Sequence, residues 1–145
     1  MMDLSRAKLI DLMEPCFTGH RYLMGAKPQL GSAPDSWVSS DCSGFTRWLA
    51  FGAWGITEPQ GSVQQHDWCR DSKCLKSANY DTAGALMDSV VRQCFIVPTA
   101  NEPGHTLFVV NGMTIESCGG HGPCRQKWSV YKGRINACYE LGSLV

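Results

Sequence analysis

The chain has 145 residues, 43% of them hydrophobic and 18% charged, which is the size and balance of one globular domain around a single core. Lys plus Arg and Asp plus Glu both number 13, so no excess of positive charge is offered to a nucleic-acid backbone and there is no acidic tail. No stretch approaches a membrane span, and Met1 to Ile10 lacks the continuous apolar run of a secretory signal, so the expectation is a chain made without a leader, with neither nucleic acid nor membrane as partner.

Apolar side chains at Leu4, Ala7, Leu9, Ile10, Leu12 and Met13 predict an amphipathic helix over Leu4 to Phe17, ended near Pro15. From His20 to Ser40, Gly, Pro and Ser mark an irregular loop that carries Tyr22, Gly25 and Trp37 toward Cys42. Phe45, Trp48, Leu49 and Phe51 then recur at helical spacing and predict a helix from Ser43 to about Trp54.

Cys42 therefore stands at a helix N-terminus, where unpaired backbone N–H groups and the positive end of the helix dipole favour an anion. This makes it the candidate nucleophile. Asp41 and Ser43 flank it with polar groups, and Gly44 permits close approach of a backbone or a substrate.

The polar segment Pro59 to Asn79 reads as a short surface helix plus loop. Its Gln65 and Trp68, with Trp37 and His121, are candidates for lining a polar substrate groove. A solvated helix with Trp68 tucked against the core is the competing reading of the same residues.

Downstream the period changes to that of strands, at Ser89 to Val97, His105 to Val110, Met113 to Ser117, Trp128 to Lys132 and Ala137 to Leu141. Helices first and strands after predict an α+β fold, residues 1–145 forming one domain with the Cys42 helix packed on an antiparallel sheet.

Asn111-Gly112 between two alternating runs is a strong signal for a two-residue type I′ hairpin turn. The implied register sets Val110 opposite Met113, Phe108 opposite Ile115 and Leu107 opposite Glu116. His105 and Glu116 then share a face as diagonal neighbours, the arrangement needed by a base and the acid that orients it. His20, His66 and His121 are rivals for the base; among them His121, in the loop Gly119 to Pro123, is the strongest.

Eight cysteines point to an oxidising destination. Setting Cys42 aside leaves an odd number, and the pairing stays open; Cys69 with Cys74 and Cys118 with Cys124 are the local candidates. His66 and His121 lie beside these pairs, but the spacing is unlike a zinc knuckle, so neither a metal nor an organic cofactor is expected.

Tyr22-Leu23-Met24-Gly25, Asp41-Cys42-Ser43-Gly44-Phe45 and Gly104-His105 before a hairpin, in that order, resemble the NlpC and p60 family of cell-wall cysteine peptidases. The resemblance implies a papain-like fold and hydrolysis of an amide bond in the peptide stem or crosslink of bacterial peptidoglycan. It implies Cys42 as nucleophile, His105 as base and Tyr22 as a hydroxyl near the oxyanion, with Glu116 where the family often places another histidine. A compact catalytic domain of this kind is similar to phage lysis or tail enzymes and to interbacterial toxins of the type VI effector kind. Such proteins act in the periplasm or cell wall after delivery by a phage or secretion apparatus, the toxins with a cognate immunity protein as partner. A papain-like acyltransferase or deamidase, or an inactive binding module, is the alternative.

Overall fold

The computed structural model describes residues 2–72, 75–76, 90–131 and 133–141. The first helix, α1 (Met2–Met13), gives way to a 3₁₀ turn over Glu14–Phe17. The change of pitch falls at Pro15, which has no N–H to continue an α-helical ladder. Leu9, Met13 and Cys16 are buried, and the predicted helix is thus two helical pieces sharing one apolar side.

Two short parallel strands, β1 (Arg21–Tyr22) and β2 (Ser39–Ser40), pair Tyr22 with Ser40 and close the intervening loop. Helix α2 (Cys42–Trp54) follows at once. Asp41 is its N-cap, accepting from the Gly44 N–H at 2.7 Å, and Gly55 ends it at φ 70°, donating its N–H to Phe51. Phe45, Trp48, Leu49 and Ala53 are buried along α2. At Gly52 the Leu12 side chain of α1 packs onto α2 where a Cβ would lie 2.7 Å from Leu12 Cδ1.

Helix α3 (Ser62–Asp71) leads to the sheet strands β3 (Leu75–Lys76), β4 (Arg92–Ile96), β5 (His105–Val110), β6 (Met113–Cys118), β7 (Gly122–Cys124) and β8 (Ala137–Glu140). Their spatial order is β3-β8-β4-β5-β6-β7, each pair antiparallel. The class is α+β. Of the predicted strand over Ser89 to Val97, Arg92–Ile96 is strand, and Ser89 lies outside the described residues.

The β5–β6 hairpin has the expected register: Val110 pairs with Met113, Val109 with Thr114 and Phe108 with Ile115. Asn111 and Gly112 have φ 52° and 71°, the positive values a type I′ turn requires. Phe108, Val110 and Ile115 pack into the core with α2, while Leu107 and Val109 pack on the opposite face with Trp128, Tyr131 and Ile135.

The strand expected over Trp128 to Lys132 is instead a 3₁₀ turn, Trp128–Tyr131. The aromatics stand three residues apart, and both are buried while Ser129 and Val130 are exposed. That is the period of a 3₁₀ helix and not the alternation of a strand.

Gln65 requires a larger correction, because it lines no groove: it is fully buried between α2 and α3. Its amide donates to the Ser43 carbonyl at 2.8 Å and to the Pro59 carbonyl at 3.0 Å. Its oxygen accepts from the Thr46 hydroxyl at 2.8 Å and from Gln93 at 3.1 Å. Gln65 and Cys69 are both buried at helical spacing, so the inward side of α3 carries an amide whose hydrogen bonds are met by α2 and by β4 as well as by Pro59. We predict that Gln65→Leu lowers stability by about 2 kcal/mol or more, because it strands several buried polar partners. Urea denaturation checks this; a change under about 0.5 kcal/mol, as for a solvated surface residue, would contradict it.

Candidate active site

The site is assembled where the N-terminus of α2 meets the start of β5. Cys42 is 9% exposed and stands beside the His105 imidazole, close enough to act on its pKa. On the far side of that ring, His105 Nε2 lies 2.9 Å from Glu116 Oε1. With Nε2 engaged there, Nδ1 is the nitrogen left for the thiol. Cys42, His105 and Glu116 thus stand in one series running from helix to strand to strand.

Burial alone would depress the His105 pKa, but hydrogen bonds and charge from Cys42 and Glu116 outweigh it and push it up to about 9. Glu116 is fully buried, which by itself would raise its pKa. Hydrogen bonds from His105, Thr114 and Tyr131 reverse this and hold the carboxyl below its usual range. Its second oxygen faces Gln126 Nε2 at 3.4 Å.

Tyr131 belongs to this site and is not recognisable in the sequence. Its hydroxyl donates to Glu116 Oε1 and lies 3.4 Å from His105 Nε2, and its ring stacks on the imidazole with centroids 5.6 Å apart. The 3₁₀ turn aims it inward, and Arg134 covers it with its guanidinium 5.5 Å from the ring centroid. An aromatic pair at Trp128 and Tyr131 was the signal available, but a local pattern does not say which strand residue an aromatic side chain will reach.

The remaining polar candidates divide. Asp41 and Ser43 are buried beside Cys42. The Asp41 carboxylate accepts from the Gly44 N–H, from the Gly25 N–H at 3.1 Å, from Lys27 and from the Ser43 hydroxyl at 3.3 Å. It is a structural cap that also ties down the preceding loop. Gly44 makes that possible: an added Cβ would lie 2.5 Å from the Ala26 carbonyl oxygen, so the close approach expected there is made by the protein's own backbone. Tyr22 lines the cleft with Cys42, its hydroxyl 3.8 Å from the Met24 sulfur. Burial, then the charges of Cys42, Asp41 and Cys118, raise its pKa.

A cleft of about 420 Å³ opens over Cys42, walled by Tyr22, Gly25, Lys27, Ser62 and Gly104. Trp37, Gln65, Trp68 and His121 do not line it. Trp37 packs against His20, Phe45 and Trp48, and Trp68 rests against the core. His121 is exposed on the turn after β6. The other rivals are also placed elsewhere: His20 against Trp37, and His66 on α3 beside Asp67, Phe95 and Tyr139.

Cys118 and Cys124 are neighbours across β6 and β7 with their sulfurs 3.2 Å apart, a hydrogen-bonded contact of free thiols longer than the ~2.05 Å of a disulfide. Cys74, the proposed partner of Cys69, lies outside the described residues. Among the described residues no group of three or more His, Cys, Asp or Glu could hold a metal, and no helix is long and apolar enough to cross a membrane.

No protein-family model matches the sequence, and no curated protein matches it. Solved structures do. The chain superposes on the NlpC/p60 domain of the peptidoglycan hydrolase SagA with a TM-score of 0.62 at 19% identity, covering 93% of this chain and 97% of that one. The P60 domain of antigen MAP1204 from M. avium subspecies paratuberculosis gives 0.62 at 16% identity, over 96% of this chain and 95% of the other. The peptidoglycan hydrolase RipB from Mycobacterium tuberculosis gives 0.63 at 17% identity, over 96% of this chain and 65% of the other. At such identities the likeness establishes the fold. It is the papain-like α+β fold of NlpC/p60 domains.

The raised His105 pKa has a consequence for stability. A cation favoured in the folded state contributes fully below its unfolded pKa near 6.5, and the contribution is lost as pH rises through about 9. Urea melts from pH 6 to 10 are expected to show stability falling over that interval in the wild type, with a flatter profile in His105→Ala. Parallel profiles would contradict the assignment.

Proposed function

We propose that this protein is a cysteine-dependent peptidoglycan hydrolase that cleaves an amide bond in the peptide stem or crosslink of the bacterial cell wall. One observation carries the reading: a largely buried thiol at a helix N-terminus beside an imidazole whose Nε2 meets a buried carboxylate at 2.9 Å. The peptidoglycan substrate is supported by the shared fold of SagA and RipB, both described as peptidoglycan hydrolases.

In this reading His105 draws the proton from Cys42, and the thiolate attacks the amide carbonyl. The oxyanion of the tetrahedral intermediate is met by the Cys42 backbone N–H, which the helix start leaves without an intrahelical acceptor, and by the Tyr22 hydroxyl from across the cleft. His105 then protonates the leaving amine, and the amide C–N bond breaks. Water, giving its proton to the same imidazole, attacks the thioester and releases the acyl group and the free thiol. Glu116, steadied by Tyr131, holds the ring with one nitrogen toward sulfur and stabilises the imidazolium.

Peptidoglycan digestion with mass analysis of the released muropeptides tests activity and identifies the bond together. Cys42→Ala and His105→Ala are expected to abolish release while the fold is kept. Glu116→Gln should reduce kcat by at least about tenfold, yet less than loss of Cys42, because an orienting charge contributes less than the nucleophile. Turnover retained by Cys42→Ala would overturn the mechanism. In the wild type Cys42 should react with iodoacetamide faster than an ordinary exposed thiol; if it does not, the protein is a binding module. Neighbouring genes test the setting: a small periplasmic immunity protein points to a toxin, tail genes to a phage enzyme.

A further inference from the structure

Two pairs of cysteines meet on neighbouring strands, in opposite settings. Cys94 and Cys138 are register partners on β4 and β8, and both are fully buried. Burial pushes the Cys94 thiol well above its ordinary pKa, so this pair is protonated and out of reach of a reagent. Cys118 and Cys124 are half-buried, with their sulfurs 3.2 Å apart across β6 and β7. The contact divides the two thiols: it holds Cys118 below the ordinary thiol pKa and raises Cys124, which burial raises further. Neither takes part in the chemistry at Cys42.

The place of this second pair in the fold gives it reach. Strand β7 is the three-residue edge strand of the sheet, held to it through β6. Its first residue presses on β1: a Cβ at Gly122, whose φ is 87°, would lie 2.6 Å from Arg21 Cα and 2.9 Å from the Tyr22 nitrogen. Its last residue, Cys124, is the register partner of Glu116. Just beyond, Gln126 Nε2 stands 3.4 Å from Glu116 Oε2 and 4.0 Å from the Cys118 sulfur. The strand therefore runs from the backbone of Tyr22 to the carboxylate behind His105, and the two thiols sit where it is fastened to β6.

We propose that Cys118 and Cys124 are a redox modification site, a reversible disulfide that locks β7 onto β6 and through Gly122 steadies β1 beneath Tyr22. The co-reactant is a disulfide, borne by a small thiol compound or by an oxidoreductase. The Cys118 thiolate attacks one sulfur of that disulfide and expels the other as a thiol. The Cys118 sulfur no longer raises Cys124 once it is bonded, so Cys124 releases its proton, attacks Cys118 and expels the second thiol of the co-reactant. Two electrons and two protons leave the protein thiols, and the co-reactant's disulfide ends as two thiols. Closure draws the sulfurs from 3.2 Å to about 2.05 Å. The site does not depend on which bond Cys42 attacks.

The test treats the folded protein with oxidised glutathione, blocks remaining thiols with N-ethylmaleimide and maps the peptides by mass. Cleavage after Glu116 and Arg125 isolates a peptide whose cysteines are Cys118 and Cys124 alone. That peptide is expected to lose two hydrogens and take no maleimide, and dithiothreitol should restore both thiols. In Cys124→Ser a glutathione adduct should persist on Cys118, because the thiol that resolves it is gone. Hydrogen exchange then reads the lock: oxidation should slow the β7 amides and those of Arg21 and Leu23, which donate to Val38 and Ser40, by about tenfold, the modest end of what a cross-link contributes. Free thiols, a stable wild-type glutathione adduct, or a bond from either cysteine to Cys42 would overturn the proposal. So would a closed disulfide that leaves the Arg21 and Leu23 amides unchanged. Should Cys124→Ser not fold, the wild-type map and exchange decide alone. Neither measurement uses peptidoglycan, so a failure here and a failure of the hydrolase reading are told apart.

Discussion

A carboxylate taken fully out of water persists only where hydrogen bonds and opposite charge replace the lost hydration. Glu116 is such a group, and much of the site can be traced to meeting its requirements. His105 supplies the charge and one donor, Tyr131 a second donor and Gln126 a third. Each comes from a different part of the chain, so the pairing of β5 with β6, the 3₁₀ turn before β8 and the segment after β7 must all close correctly to satisfy one side chain. Loss of any partner leaves a buried charge short of its partners, which makes this cluster costly to assemble wrongly.

The same short stretch of β6 fastens the other half of the site. Glu116 faces His105, while the neighbouring Ser117 side chain, on the opposite face of the strand, donates to the Ser40 carbonyl at 3.1 Å. Ser40 stands two residues before Cys42 and pairs through β1 with Tyr22. His105, Glu116, Cys42 and the Tyr22 hydroxyl are therefore referenced to one strand, and the alternation of side chains along it connects the two halves. Helix α2 is held from behind by the buried amide of Gln65 on the Ser43 carbonyl. A thiol positioned by a capped helix and an imidazole positioned by a strand have little freedom to drift apart.

Asp41 illustrates how an acidic residue beside a candidate nucleophile can be structural. It caps α2, ties the Gly25 turn against the helix and neutralises Lys27 in part. The close approach that Gly44 allows is what brings Lys27 to the cleft. Capping, loop closure and the electrostatic character of the cleft are consequences of one carboxylate.

Much of this was legible in the sequence because it depends on local rules. The Asn111-Gly112 turn, needing positive φ at both positions, set the register that places Glu116 beside His105, and the apolar spacing after Cys42 set the helix that presents the thiol. The extents of β5 and α2 follow from the same periodicities. What sequence could not decide depended on distant partners. Gln65 reads as a solvated helix residue until Ser43, Thr46 and Gln93 are seen to meet its amide in the interior. Trp128 to Tyr131 has strand composition, but burial of two aromatics three residues apart imposes a 3₁₀ turn, and only that turn delivers the Tyr131 hydroxyl to Glu116. Trp37 and Trp68 look like groove aromatics and are packing residues. Lys27 has no local signature, since its place at the cleft comes from the backbone approach that Gly44 permits. Periodicity and turn chemistry act over a few residues and can be read from one chain, whereas the satisfaction of buried polar groups is decided between segments that meet only when the fold has closed.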